Sequence, residues 1–242
     1  MFTGTIGISS QDVREVSSVQ QMFLGTKAVT RDGRVYRYAK AGASALTVGT
    51  MNQQSATVAN HTNQAVAVAA AVGATEVSVT LGATAATKDQ YAEGYLLIND
   101  AAGEGIVYNV SGHAAIGSAG TGVINLAEPI KVALTTASEY TLIANPFKDV
   151  VIVPQAATSS GNPAGVANVA VTEAYFGWLQ TGGVCAMLAS STPFTLGEEV
   201  SQSNNEVAGA GGIQIATAPN YGVAMQLGVA TEYQTVYLTI DS

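Results

Sequence analysis

The chain is short of cysteine, histidine, tryptophan and basic charge, and each shortage removes a class of function. One cysteine, Cys185, leaves no partner for an internal disulfide. With only His61 and His113 beside it, no zinc-type ligand set can be assembled from Cys and His, so no metal and no cofactor is expected. Lys and Arg number 9 against 17 Asp and Glu, and the last 94 residues contain no Lys or Arg at all. Most of such a surface repels a polyanion, which argues against a nucleic-acid partner. Long apolar runs are missing too. The longest, residues 65–74, is ten residues, where a spanning helix needs roughly twenty, so no membrane partner is expected. The opening MFTGTIGISSQDVREV lacks the basic n-region and apolar stretch of a secretory signal, and the chain is expected to stay in the cytoplasm of the cell that makes it.

Catalytic signatures are equally scarce, and no enzyme activity is expected. GASAL (42–46) comes near a G-x-S-x-G elbow but ends in Leu, and GSAG (117–120) lacks the first glycine. GSAGTG and GAGG match neither a P-loop nor a dinucleotide fingerprint. NDAAGEG (99–105) fails the spacing of an EF-hand and reads as a hairpin turn. Glu198 and Glu199, adjacent on an extended chain, would point to opposite faces and read as a solvated loop. His61 and His113 read as surface histidines. The sequons at Asn60 and Asn109 have no use without export.

What the chain does have is small and apolar: 48% hydrophobic residues, mostly Ala and Val, with 26 glycines between short runs of Val, Ile, Thr and Tyr. No stretch carries a clear 3.6-residue stripe. The pattern predicts an all-β fold, a β-sandwich or barrel of short antiparallel strands with an N-terminal arm and hairpin. Expected strands include 22–30, 34–39, 45–50, 65–72, 75–82, 94–99, 105–111, 174–181, 184–190 and 234–240. Thr181-Gly182-Gly183 reads as the turn of a central hairpin that buries Phe176 and Trp178 or presents them at a subunit interface. Polar links near 52–64 and 153–167 suggest three segments: 1–60 with the arm and hairpin, 61–152, and 153–242. Whether the hairpin joins the sheet of the last segment, making the middle an insertion, stays open at this level.

Charge is distributed unevenly. Residues 1–40 carry six basic and three acidic groups, +3; residues 41–148 carry three and seven, −4; residues 149–242 carry none and seven, −7. The positive end centres on TRDGRVYRYAK. If Asp32-Gly33 is a two-residue type I′ loop, Lys27, Val29 and Arg31 lie opposite Tyr38, Tyr36 and Arg34, and Lys40 continues the same face. Lys27, Arg31, Arg34, Tyr36, Tyr38 and Lys40 are thereby the candidate partner-binding residues, with Arg37 pointing the other way. The charges suit an acidic partner surface; the alternative is a solvated edge whose charge resists aggregation.

FLGTKAVTRDGRVYRYAKAGASALTVGT, YAEGYLLINDAAGEGIVYNVSGH, LAEPIKVALTTASEYTLIANPFKDVVIV, AYFGWLQTGGVCAML and GVAMQLGVATEYQTVYLTIDS, in that order, resemble the decoration or cement proteins of tailed-bacteriophage heads. They cover about half the sequence and are turn-and-strand patterns. The resemblance implies a non-enzymatic virion protein on the outer face of the capsid, binding the major capsid protein, commonly as a homotrimer. Another head or tail fibre component would share the composition, but no periodic fibre repeat is present. A carbohydrate-active or lectin-like protein would need paired carboxylates and aromatic platforms, for which one Trp is little.

Overall fold

A computed structural model describes residues 4–155, 160–192, 194–202, 207–215 and 218–241. Strand makes up 42% and helix 3%, so the chain is all-β. It divides into two compact units, Met1–Ala56 with Pro146–Ser242, and Thr57–Asn145. The first unit opens with β1 (Ile6–Gly7), β2 (Lys27–Val29), β3 (Val35–Lys40) and β4 (Met51–Gln53). The second holds β5 (Gln64–Ala65), β6 (Glu76–Thr80), β7 (Tyr95–Asp100), β8 (Val107–His113), β9 (Thr121–Leu126) and β10 (Glu139–Ile143). The chain returns to the first with β11 (Val151–Ile152), β12 (Pro163–Ala167), β13 (Phe176–Leu188), β14 (Glu199–Gln202), β15 (Gly211–Ile213), β16 (Asn220–Ala224) and β17 (Tyr233–Thr239). No helix among the described residues is long and apolar enough to cross a membrane.

The second unit is a nearly closed antiparallel barrel in the order β5-β10-β7-β8-β9-β6. Val66, just past β5, bridges to Val79 of β6, and the Ala67 N–H donates to the Ser78 carbonyl at 2.9 Å, bringing the two ends of the sheet together. Period-2 alternation aims Val77 and Val79, Leu96 and Ile98, and Tyr108 and Val110 inward, where they fill the interior. The alanine-rich stretch expected as strand 65–72 pairs only briefly, with bridges at Val66 and Ala70.

The first unit is one large sheet running β1-β2-β3-β13-β17-β16-β14-β15, with β12 joined to β13 and β4, and β11 to β4. β3 pairs with β13 from Phe176↔Lys40 to Gly182↔Val35, so the N-terminal hairpin and the last segment share a sheet and the middle segment is an insertion. The unit boundaries differ from the cuts at 60 and 152. The polar link opens as strand β4, where Asn52 and Gln53 are buried, and the Asn52 amide donates to the Thr50 and Gly165 carbonyls. At the other cut, β11 pairs with β4 and belongs to the large sheet.

Thr181-Gly182-Gly183 is not a turn. β13 runs unbroken for 13 residues through it. The register skips between Gln180 and Gly182, and Gly183 takes φ +79°, so the glycines form a bulge that bends one strand. Phe176 and Trp178 are buried, as the first reading of that segment had it. Of the pair Glu198 and Glu199, the first lies in the loop as expected, whereas Glu199 begins β14, opposite Val223.

Candidate interaction surface

The basic hairpin closes with three residues in its loop, not two. The Thr30 N–H donates to the Arg34 carbonyl at 3.0 Å and the Gly33 N–H to the Thr30 carbonyl at 2.9 Å, leaving Arg31-Asp32-Gly33 at the tip with Gly33 at φ +83°. The Thr30 hydroxyl donates to Asp32 Oδ1 at 2.5 Å. That bond holds the Asp32 carboxyl below its usual range, with desolvation opposing and the Arg34 guanidinium adding to the lowering. The extra residue moves the pairing by one: Lys27 faces Arg37, Ala28 faces Tyr36 and Val29 faces Val35.

A one-residue slip sends every side chain to the other face. Here the slip moves β2 against β3, so Ala28 joins the face of Tyr36 and Tyr38 while Lys27 and Val29 leave it, and both tyrosines are core residues, 0% and 4% exposed. This corrects the expected shared face of Lys27, Arg31, Arg34, Tyr36, Tyr38 and Lys40: Lys27 leaves it, Arg31 sits at the loop tip, and Arg34, Tyr36, Tyr38 and Lys40 keep one parity, with the two tyrosines buried instead of presented. The physical reason is burial: two tyrosines and Ala28 on one face recover far more hydrophobic free energy inside than outside. Tyr36 donates to Gln180 Oε1 at 3.4 Å and accepts from Asn168 Nδ2 at 3.3 Å. Tyr38 accepts the Gln21 N–H at 3.0 Å, stacks on Phe176 with centroids 6.0 Å apart and meets Trp178 edge-on at 5.2 Å.

Of the charged residues, Lys27 and Arg37 lie on the opposite face and Arg31 in the loop, while Arg34 and Lys40 flank the tyrosines on their own parity; three of the five meet a carboxylate of the same chain. Arg34 pairs with Asp32 at 2.8 Å, Lys40 with Asp149 at 2.9 Å, and Arg37 with Asp241 at 2.5 Å. Arg37, expected with Ala39 and Val35 on the far side, shares its face with Lys27, and Val35 with Val29. Its guanidinium also donates to the Gly25 carbonyl at 2.8 Å and lies 5.9 Å from the Phe147 ring centroid. Among the described residues, Lys27 and Arg31 join no ion pair within 4 Å. The net positive character of the hairpin comes down to these two.

A second surface escapes sequence reading. Outward positions of β13, β17 and β16 line up across the sheet: Val184 faces Tyr237, which faces Val223, and Leu188 faces Tyr233. Tyr233 and Tyr237 are 53% and 49% exposed, and Val184 and Met225 stand open beside them. The outward positions of the three strands carry no charge. Glu199, next in line from Val223, and Glu232, before Tyr233, lie exposed at the rim. Strand alternation in "TEYQTVYLT" signals outward tyrosines, but which strands flank them is set by topology that a single sequence does not display.

His61 and His113 are buried, contrary to the surface reading. Both pack on Tyr91 inside the barrel, with centroids 5.6 and 5.7 Å away. His61 meets the Tyr91 hydroxyl through Nδ1 and the Thr84 carbonyl through Nε2. His113 Nε2 accepts the Tyr91 N–H at 3.1 Å while Nδ1 meets the Ala114 carbonyl at 2.7 Å. Their ring nitrogens are occupied by internal hydrogen bonds. No group of three or more His, Cys, Asp and Glu that could hold a metal occurs among the described residues. No family model, curated protein or solved structure matches the chain.

Proposed function

We propose that the chain is a virion structural protein, a decoration protein that sits on the outer face of a tailed-phage head, binds the major capsid protein and assembles as a homotrimer. The observation that carries this reading is the open sheet face around Tyr233 and Tyr237. Exposed tyrosines beside Val184 and Met225, with no charge between them, suit a contact surface. The resemblance described for the five sequence stretches supports the particular setting. The buried tyrosines Tyr36 and Tyr38 support mechanical firmness of the hairpin instead of recognition, and Arg31 and Lys27 remain to orient a partner by charge.

Such a protein works by spreading load. Antiparallel pairing ties the first strands of the chain to its last ones through β3, β13 and β17, so force entering at either end is shared by rows of hydrogen bonds. The test is binding to expanded heads that lack the protein. Saturable decoration of the heads, with raised resistance to heating, is expected; heads left bare at saturating protein overturn the proposal.

A further inference from the structure

We propose that the open face of β13, β17 and β16 receives the basic hairpin of a second copy of this chain, in a head-to-tail contact. This rests on the self-association part of the reading above and not on its capsid part. Two surfaces of the same unit are complementary in charge and alike in apolar character. One is the Tyr233–Tyr237 face, rimmed by the carboxylates of Glu199 and Glu232 in a segment of 94 residues with no Lys or Arg. The other is the hairpin, whose Lys27 and Arg31 join no ion pair among the described residues. In the turn that leads into β2, Phe23 stands 56% exposed. The Thr26 N–H, donating to the Phe23 carbonyl at 3.1 Å, ties that apolar turn to the start of β2.

The alternative arrangement of two copies, the same face against itself about a two-fold axis, gathers four rim carboxylates into one interface with no cation supplied by that segment. Like charges so placed repel. Head-to-tail docking sets Lys27 and Arg31 against Glu199 and Glu232 and lets Phe23 cover the tyrosines. A contact of this kind joins different surfaces, so it closes into a ring when the rotation per copy allows and extends otherwise. The tyrosines and Phe23 supply affinity, and the charges set the register.

The test uses the full chain without capsids, in sedimentation velocity from micromolar to hundred-micromolar concentration. Lys27→Glu with Arg31→Glu makes the hairpin acidic; Glu199→Lys with Glu232→Lys makes the rim basic. Arg31, Glu199 and Glu232 are exposed and Lys27 is half-buried, and circular dichroism with thermal unfolding checks that the variants fold. The expectation is an oligomeric wild type, self-association weakened about tenfold or more by either pair, and recovery when all four changes are combined, because the two surfaces are again opposite in sign. A wild type that stays monomeric overturns the proposal. So does an oligomer that neither pair disturbs, and so does a fourfold variant no better than the two pairs, which would show that the surfaces do not face each other. Capsid binding plays no part in these outcomes, so the decoration reading stands or falls separately.

Discussion

Arg37 and Asp241, separated by 204 positions, are held together by two hydrogen bonds, Nε to Oδ2 at 2.5 Å and Nη2 to Oδ1 at 2.9 Å. The pair ties the hairpin to the C-terminal end of the sheet, and the Thr181 hydroxyl adds a third bond to Asp241 at 3.1 Å. The Arg37 hydrogen bonds, helped by its charge, by Thr181 and by Lys27, hold the Asp241 carboxyl below its ordinary range, with burial opposing. A lowered folded value contributes stability above the unfolded value of about 3.9 and loses it as pH falls through the folded one. Asp241→Asn is therefore expected to destabilise by about 1 kcal/mol at neutral pH, a figure kept small by solvent screening of a half-open pair. The difference from wild type should shrink below about pH 4. Urea titrations at several pH values read this directly.

Tyr38 is the better test of the hairpin register. A ring packed between Phe176, Trp178 and Leu24 leaves a cavity when removed. Tyr38→Ala should cost about 3–5 kcal/mol in chemical denaturation, as for other large-to-small core changes. Tyr38→Phe should cost about 1 kcal/mol, the value of the lost Gln21 hydrogen bond. A Tyr38→Ala chain as stable as wild type would place the ring outside.

Gly49 lies under one of the exposed tyrosines. It takes φ +72°, and an added Cβ would stand 2.5 Å from Tyr233 Cε1 and 3.0 Å from the Leu188 nitrogen. The ring can swing away into solvent but the backbone cannot, so Gly49→Ala is expected to cost about 1–2 kcal/mol, mostly from the left-handed backbone. It should also unseat Tyr233 and weaken self-association in the same sedimentation assay.

Cys185 is buried against Met187 and Val236, and that burial pushes its thiol up to about 12. Thiolate is the reactive form, so the native protein should resist alkylation at pH 8 over hours. Unfolding in urea should make the single thiol react at the rate of a free cysteine. Fast labelling of the folded chain would contradict the packing of β13 against β17.

The all-β class was legible because short Val, Ile and Tyr runs punctuated by glycine leave little room for helices. NDAAGEG is a hairpin turn in the barrel, with Ala101, Gly103 and Gly105 at positive φ. What failed shares one physical origin: local turn chemistry was read without the tertiary pattern that decides among its options. Asp32-Gly33 fits a two-residue loop on its own, yet burying Tyr36 and Tyr38 with Ala28 requires three. Thr181-Gly182-Gly183 fits a turn, yet β3 and β17 pair along both halves of β13 and make it a bulge. Polar residues misled likewise. Asn52, His61 and His113 are buried, each with a hydrogen bond to a position far along the chain, Gly165, Thr84 and Tyr91 in turn, and such partners leave no local trace in a sequence.

The central claim, that this chain is an outer-capsid decoration protein, is tested most directly by an electron cryo-microscopy map of the virions that carry it. The account predicts density for the barrel and the large sheet on the outside of the head shell, in rings of copies seated over major capsid subunits. Density confined to the tail, or none on the particle, would contradict it.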